Sequence, residues 1–357
     1  ARVELERPAD AARAWSDLEA LSWRGLDAAE RALCPCLLLV GDSSLLGGPG
    51  LGQVGRILGN DLPVKMLLFA DLNLGITAQA DLEAPLIPVK DMGIELGLLA
   101  LSQRDACIAQ SSIGATGHFA ASIEAAFACQ GPALLHVHAP SPARHGFAAQ
   151  QTLLRARAAV DARVFPLFRY DPAAEGVFGS RISLDGNPAP RDPWSTTPDG
   201  NAFTPDQWAL GEQRFGDFFR PLQADDAEPL PLAEYLRLPE RERAKRTACV
   251  EQTTGGKEKR HFRVDPRLVR ISADRQQAWR MLQDLAGLVT PFTARVQQEA
   301  EDRVAAQREE ELHAQADAYE QQLRDLRHAL QQETRQEMRQ RLMQLAGYHD
   351  ALAREAD

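Results

Sequence analysis

Four short apolar segments, separated by stretches with helical spacing, constrain the fold of this chain most strongly. They lie at 36–40, 64–71, 105–112 and 133–140. Apolar runs that alternate with helical patterns at this spacing predict parallel strands joined by crossover helices. We therefore predict an α/β fold built on a parallel sheet, and we expect the run CLLLV at 36–40 to be buried on both faces.

The loops that follow these segments are the first candidates for a functional site. Ligands of open parallel sheets bind at the carboxyl ends of the strands. Polar or glycine-containing loops follow all four predicted strands, and they read VGDSS, ADLNLG, SSIGATG and HAPSPARHG. The sequence therefore predicts a site at this edge of the sheet.

The rest of the chain divides by composition. Residues 173–240 are rich in Pro, Gly and Asp but keep aromatic residues that can anchor them. Within the next part, 259–272 alternates around a proline and predicts a β-hairpin, and 274–288 predicts an amphipathic helix. The predicted organisation is an α/β domain (1–172), an irregular meander packed on it (173–240), a hairpin and helix (241–293), and a long coiled-coil-like helix (294–357).

The long helix carries a heptad seam. Its apolar residues step by 4-3-4-3-4, and the pattern then shifts at Thr334, which is a stutter. Such a helix cannot bury its seam alone, so we expect an antiparallel return, a second subunit or another protein to cover it. The seam consists of Leu312, Ala316, Tyr319, Leu323, Leu326 and Leu330.

Charge and composition exclude several classes of protein. The net charge of −10 argues against nucleic-acid binding, and no apolar run approaches the 18 residues of a membrane span. The first residues are charged and contain no apolar segment of the signal-peptide kind. The five cysteines form no CxxC motif and are expected to be reduced thiols. We therefore expect a cytoplasmic protein with no membrane or nucleic-acid partner.

A carboxylate lies just beyond the first predicted strand, and further side chains with oxygen atoms lie at or just beyond the end of the second predicted strand. Asp42 comes just after the first predicted strand, Asp71 ends the second, and Asn73 and Thr77 follow it. Because adjacent parallel strands end at the same edge, a carboxylate and an amide oxygen there can share one Mg²⁺. The alternative is that Asp71 or Asn73 caps a helix.

Three further segments, in order, carry a family resemblance. They are KDMGIELGLLA (90–100), QGPALLHVHAPSPARHG (130–146) and RARAAVDARVFPLFRYDP (155–172), of which RVFPLFRYDP is the most specific. From about residue 36 to 220 the chain resembles the thiamine-binding C-terminal domain of pyruvate:ferredoxin oxidoreductases. The resemblance implies a thiamine-diphosphate-binding fold, with thiamine diphosphate and Mg²⁺ used for oxidative decarboxylation of a 2-oxoacid.

The resemblance also implies roles for individual residues. Asp42 and Asn73 would bind Mg²⁺, with Thr77 as the alternative to Asn73. The catalytic residue stays open, with His145 as the candidate. The cofactor-binding set would be Gly41, Asp42, Ser43, Asp71, Asn73 and Thr77.

Three departures from the family are visible. The family's Gly-Asp-Gly is Gly41-Asp42-Ser43 here, the loop around Asn73 is shortened, and Ser141 stands where the family has a cluster-binding cysteine. A serine hydroxyl does not replace a thiolate on iron. We therefore expect no Fe–S cluster ligated within this chain.

The resemblance thus implies an oxidoreductase acting on 2-oxoacids, working as a homodimer or with other domains or subunits of the same oxidoreductase. The alternative is a catalytically degenerate thiamine-fold scaffold, or a dimerisation domain with a coiled-coil interaction helix.

Overall fold

The structure is a computed structural model, and it describes residues 23–42, 49–70, 72, 95–254 and 258–346. The chain divides into two compact units, Ala1–Thr290 and Pro291–Asp357. The first unit is an α/β assembly with a mixed sheet, and the second contains a long helix.

The main sheet has the order β1-β2-β4-β3-β5-β6. The first four strands are mutually parallel, as predicted, whereas β5 and β6 run antiparallel to their neighbours. The sheet is therefore mixed rather than wholly parallel. Its strands are β1 (Leu37–Asp42), β2 (Val64–Ala70), β3 (Cys107–Ser112), β4 (Ala133–His138), β5 (Phe168–Tyr170) and β6 (Ile182–Ser183).

Helices cover both faces of this sheet. On one face, Met66, Ile108 and Leu134 form a buried cluster with helices α2, α3 and α10. On the other face, Leu135 and Val137 pack against α4. All six residues of β4 are buried, as expected for a central parallel strand. The described helices of the first unit are α1 (Ala28–Leu33), α2 (Pro49–Leu58), α3 (Leu96–Ala100), α4 (Thr116–Ala128), α5 (Pro142–His145), α6 (Thr152–Asp161), α7 (Pro205–Ala209), α8 (Leu232–Arg237), α9 (Glu240–Arg243) and α10 (Pro266–Leu285).

Strand β1 differs from its prediction. Among the described residues it is an edge strand that pairs with β2 alone, and Leu37, Leu38 and Val40 are exposed. The expectation that CLLLV is buried on both faces is wrong, because a continuous apolar run does not reveal whether its strand is central or at an edge.

The region after β6 forms further small sheets. Strands β7 (Ser195–Thr196) and β8 (Ala202–Phe203) pair with each other. A four-stranded sheet has the order β10-β11-β12-β9. Its strands are β9 (Phe219–Pro221), β10 (Pro229–Pro231), β11 (Thr247–Thr254) and β12 (Glu258–Val264).

The hairpin predicted over 259–272 is wrong. Strand β12 pairs instead with the preceding β11, and the proline begins α10. The Asp265 carboxylate accepts a hydrogen bond from the Arg267 backbone N–H at 2.8 Å, and Pro266 is the first helical residue. An Asp-Pro pair of this kind is a helix N-cap followed by a proline at the first position, which fits that site well.

A buried stack joins α10 to the chain reversal that precedes β5. The Arg163 guanidinium lies 4.2 Å from the centroid of the Trp279 ring, and its Nη2 donates to the Ala189 carbonyl at 2.9 Å. Burial lowers the pKa of Arg163 to about 10. Arg163 has a φ of 59°, in the left-handed region, where the chain turns back from α6.

The second unit contains α11 (Pro291–Leu345), a single helix of 55 residues. At 1.5 Å per residue it is about 80 Å long. The predicted long helix is confirmed, although it begins three residues earlier than expected, at a proline.

Candidate functional site

Strands β1 and β2 end side by side at the predicted edge of the sheet. In their parallel register Gly41 lies opposite Leu68 and Asp42 opposite Phe69. Neighbouring strands are about 4.8 Å apart. A Cβ atom on Gly41 would come within 3.2 Å of Leu68 Cδ2, so the absence of a side chain allows this close approach. The half-buried Asp42 is therefore the last residue of β1, next to the end of β2.

The other predicted ligands of the cofactor and the metal cannot be placed against Asp42. Ser43, Asp71, Asn73 and Thr77 lie outside the described residues. Of the six predicted cofactor-binding residues, the structure therefore describes Gly41 and Asp42. It also describes the ends of β1 and β2, after which the other four residues follow in the chain.

Helix α2 begins soon after this strand end. Pro49 and Gly50, from the glycine-rich stretch that follows β1, form its first turn. A helix that follows a parallel strand directs its N-terminus, with its partial positive charge, toward the carboxyl edge of the sheet. The arrangement at this edge thus combines the Asp42 carboxylate with a helix N-terminus that favours anions.

The two histidines of β4 pack in the interior. His136 Nδ1 lies 3.2 Å from Gln110 Oε1, and burial lowers the pKa of His136 to about 4. His138 Nδ1 lies 3.4 Å from the Ala70 carbonyl oxygen, and both imidazole rings contact Phe165. Two residues apart on one strand, they share a face of the sheet. Both histidines are therefore packed side chains of the interior.

His118, near the start of α4, is held by serines. Its Nδ1 lies 2.8 Å from Ser111 Oγ, at the carboxyl end of β3. Burial first, and then the charge of Arg169, lowers the pKa of His118 to about 4. The imidazole is therefore neutral at pH 7.

His145, the candidate catalytic residue, is buried against a carboxylate. Its Nδ1 lies 3.7 Å from Glu212 Oε2, and the same oxygen accepts from Arg214 Nε at 2.8 Å. Burial raises the pKa of Glu212, while Arg214 opposes that rise. Gly146 caps α5 in the left-handed conformation (φ 72°), and its carbonyl accepts from the Gln213 N–H at 3.3 Å. These contacts fasten α5 to the segment around 212–214.

Glu212 and Arg214 were missed by the sequence reasoning. They lie more than 60 residues from His145 along the chain, and no local pattern links the two positions. The Glu-Gln-Arg triplet at 212–214 is a common surface composition, so only its burial distinguishes it.

A second buried carboxylate lies in the region predicted to be an irregular meander. Asp206, in α7, accepts a hydrogen bond from Thr204 Oγ1 at 2.5 Å. It lines an open cleft of about 780 Å³ between β8, α8 and β11, together with Glu234, Cys249 and His261. Burial raises the pKa of Asp206 to about 6, and burial raises that of Cys249 to about 11.

Asp206 gives a pH dependence of stability with a defined sign. Its pKa is about 6 in the folded protein and about 3.9 in the unfolded chain. Between these values the unfolded chain releases the proton while the folded protein retains it, so stability falls as pH rises from 4 to 6. The loss is about 2–3 kcal/mol and stays constant above pH 6. We expect Asp206→Asn, whose amide oxygen can accept the same bond, to lack this loss.

Urea unfolding of both proteins from pH 4 to pH 8 measures the difference. The free energy of unfolding of the wild type, relative to the variant, should decrease through pH 4–6 and level off above it. Parallel pH profiles of the two proteins would contradict the assigned pKa.

Two of the five cysteines are not free thiols. Cys107, at the start of β3, and Cys129, which caps α4, form a disulfide with a Cα–Cα distance of 6.4 Å. The expectation of five reduced thiols is wrong for this pair, because cysteines 22 residues apart are brought together by the crossover from β3 to β4. Cys34, Cys36 and Cys249 are free. A cytoplasmic location stays a prediction, and this disulfide is the observation that counts against it.

Comparisons with known proteins do not add an assignment. No family model matches the chain, and no curated protein matches it. In the part of the chain that the structure describes, no three His, Cys, Asp or Glu residues are grouped so that they could hold a metal ion. Over the same ranges, no helix has the length and apolar character needed to cross a membrane.

Proposed function

We propose that the chain binds the Mg²⁺-diphosphate end of thiamine diphosphate at the carboxyl edge of β1 and β2, as part of a 2-oxoacid:ferredoxin oxidoreductase-like protein. The observation that carries the proposal is the position of Asp42, the last residue of β1, in register with the end of β2. The family resemblance over residues 36–220 supports a cofactor site at the same edge of the sheet.

The described residues meet part of the requirement for this group. Asp42 offers a carboxylate oxygen, and the N-terminus of α2 offers a positive end to a diphosphate. Asn73 or Thr77 would complete the protein ligands of Mg²⁺, and both lie outside the described residues. Bound thiamine diphosphate would supply the nucleophilic carbanion that attacks a 2-oxoacid.

The chain's own contribution to such a reaction is binding and orientation. Asp42 would anchor the metal, while Gly41 allows Leu68 of β2 to pack closely beside it. His145, paired with Glu212, would act through the position of the loop after β4, since its imidazole is buried.

Calorimetry tests this proposal on the full chain. We expect thiamine diphosphate to bind in the presence of Mg²⁺ and not in the presence of EDTA. Asp42→Asn removes one charge from the metal site and should weaken binding at least 10-fold. Asp225→Asn, the same change at an exposed position, is the matched control and should bind as the wild type does.

Three outcomes would contradict the proposal. They are no binding to the wild type, binding that EDTA does not affect, and equal affinity of Asp42→Asn and wild type. The first leaves the degenerate scaffold as the surviving alternative.

The exposed seam of α11 favours a second function, which is self-association. Five of the six seam residues are large, and these are between 51% and 71% exposed. A face of this kind is stabilised only by a partner. We infer that the partner is the same helix of a second copy, packed antiparallel.

The flanking charges select the antiparallel arrangement. With Leu312 at heptad position d, Glu320 and Arg327 occupy e positions. If Leu323 faces Leu326 of the second copy, Glu320 lies beside Arg327 of that copy, and the pair occurs twice. A parallel pair would instead place Gln315 beside Glu320 and Gln322 beside Arg327, with no ion pair. Beyond the stutter, Leu312 would face Met338 of the second copy.

A further inference from the structure

A cavity among the described residues lies away from the predicted cofactor edge. It has a volume of about 850 Å³, within the range of about 300–1,000 Å³ for small-molecule pockets. It lies between α4 and the β3, β5 and β6 strands. Helix α4 packs on β3 and β4, and the cavity is the part of the same face that extends across β5 and β6.

Strand register places one row of side chains across the cavity wall. Ala109 on β3 lies opposite Arg169 on β5, and Arg169 lies opposite Ser183 on β6. All three line the cavity. Ala109 faces the small residues of α4, so Arg169 and Ser183 share the face of the sheet that α4 covers.

Two guanidinium groups border this cavity. Arg169 is 32% exposed, and its Nη2 lies 3.9 Å from Asp185 Oδ2. Arg181, the residue that precedes β6, is the second. No described residue accepts a hydrogen bond from the buried Nε of either arginine. The positive charge of Arg169 also contributes to the lowered pKa of His118.

The other residues that line the cavity restrict the kind of anion that could bind there. Asp105 and Asp171 also border the cavity, so two carboxylates formally match the charges of the two arginines. That balance disfavours a dianion such as a phosphate ester. Ala109, Ala125 and Ala126 supply apolar surface, which suits a hydrocarbon chain or ring. The Cys107–Cys129 disulfide joins β3 to the end of α4 and holds two of the walls together.

We propose that this cavity binds a small amphipathic monocarboxylate, with its acid group paired to Arg169 and Arg181 and its apolar part against the alanines of α4. Guanidinium groups pair with carboxylates through two parallel hydrogen bonds. This site is independent of the proposed thiamine diphosphate site, because it is lined by residues of α4, β3, β5 and β6, whereas the other site lies at the carboxyl edge of β1 and β2.

Titration calorimetry with octanoate on the full chain tests the proposal, with 1-octanol as the neutral probe of equal chain length. We expect octanoate to bind at least 10-fold more tightly than octanol. Arg169→Met should remove that preference and leave octanol binding unchanged. Arg56→Met, the same change at an exposed site on α2, should retain it. 3-Phenylpropionate, run in parallel, distinguishes a ring from a chain.

A second variant blocks the cavity itself. Ala125 is exposed and borders the cavity, so Ala125→Trp fills the space without disturbing the core. It should abolish binding of both probes. If thermal unfolding shows that Arg169→Met is destabilised, Arg181→Met takes its place. Absence of octanoate binding to the wild type, equal binding of octanoate and octanol, or unchanged binding to Ala125→Trp would overturn the proposal.

Discussion

Replacing Leu323 and Leu326 together by glutamate is expected to convert the protein from a dimer into a monomer. In the antiparallel arrangement the two leucines face each other across the seam, so the dimer buries four of them. Each buried leucine contributes about 1.5–3 kcal/mol. The loss therefore raises the dissociation constant by more than about 10⁴-fold. Sedimentation equilibrium of wild type and variant measures this change.

Two sets of control variants are needed. One distinguishes loss of the apolar seam from the effect of added charge on the helix, and the other distinguishes antiparallel from parallel packing. Gln321→Glu with His328→Glu adds the same two residues on the outer face of α11, and this variant should remain a dimer. Glu320→Arg alone should weaken the dimer through like charges, and adding Arg327→Glu should restore it. In a parallel dimer neither exchange creates or removes an ion pair. A monomeric wild type, or a dimer that survives the leucine changes, would contradict this assignment.

Loss of the Cys107–Cys129 disulfide is expected to lower the free energy of unfolding by about 3 kcal/mol. The bond closes a loop with a sequence separation of 22 residues. In the chain-entropy description, a loop of that size restricts the unfolded chain by about 3 kcal/mol. The double change Cys107→Ser and Cys129→Ser should show this loss in urea unfolding.

A reductant gives the matched comparison. Tris(2-carboxyethyl)phosphine should destabilise the wild type and leave the double variant unchanged. Cys34→Ser and Cys36→Ser alter exposed free thiols and should have little effect on stability. Thiol titration of the unreduced, denatured protein should find three thiols. A count of five would refute the disulfide.

Local patterns were sufficient for most elements of the main sheet. The runs at 64–71, 105–112 and 133–140 became β2, β3 and β4, with the helix α4 between the last two. These elements are specified by periodicity and by Gly and Pro at their ends, which act over a few residues. The mixed direction of β5 and β6 was not predictable, because strand direction depends on where the chain re-enters the sheet.

The candidate site also has one part that local sequence predicts and another part that it does not. The position of Asp42 at a strand end followed from an apolar run that stops at Gly-Asp. The pairing of His145 with Glu212, and of Arg169 with the α4 face, has no local signal, because each joins segments that lie far apart along the chain. The Asp-Pro pair at 265–266 is a local signal for a helix N-terminus, although the alternating pattern around it predicts a turn.

By itself, the sequence determined the class of fold, the parallel strands β1–β4 with their carboxyl-edge loops, and the long α11, because these depend on short-range spacing of apolar residues. Only the tertiary structure decided that β1 is an edge strand, that Cys107 meets Cys129, and that two arginines border one cavity. Those facts depend on which distant segments pack together, and the free energy of that packing is not contained in any local stretch of the chain.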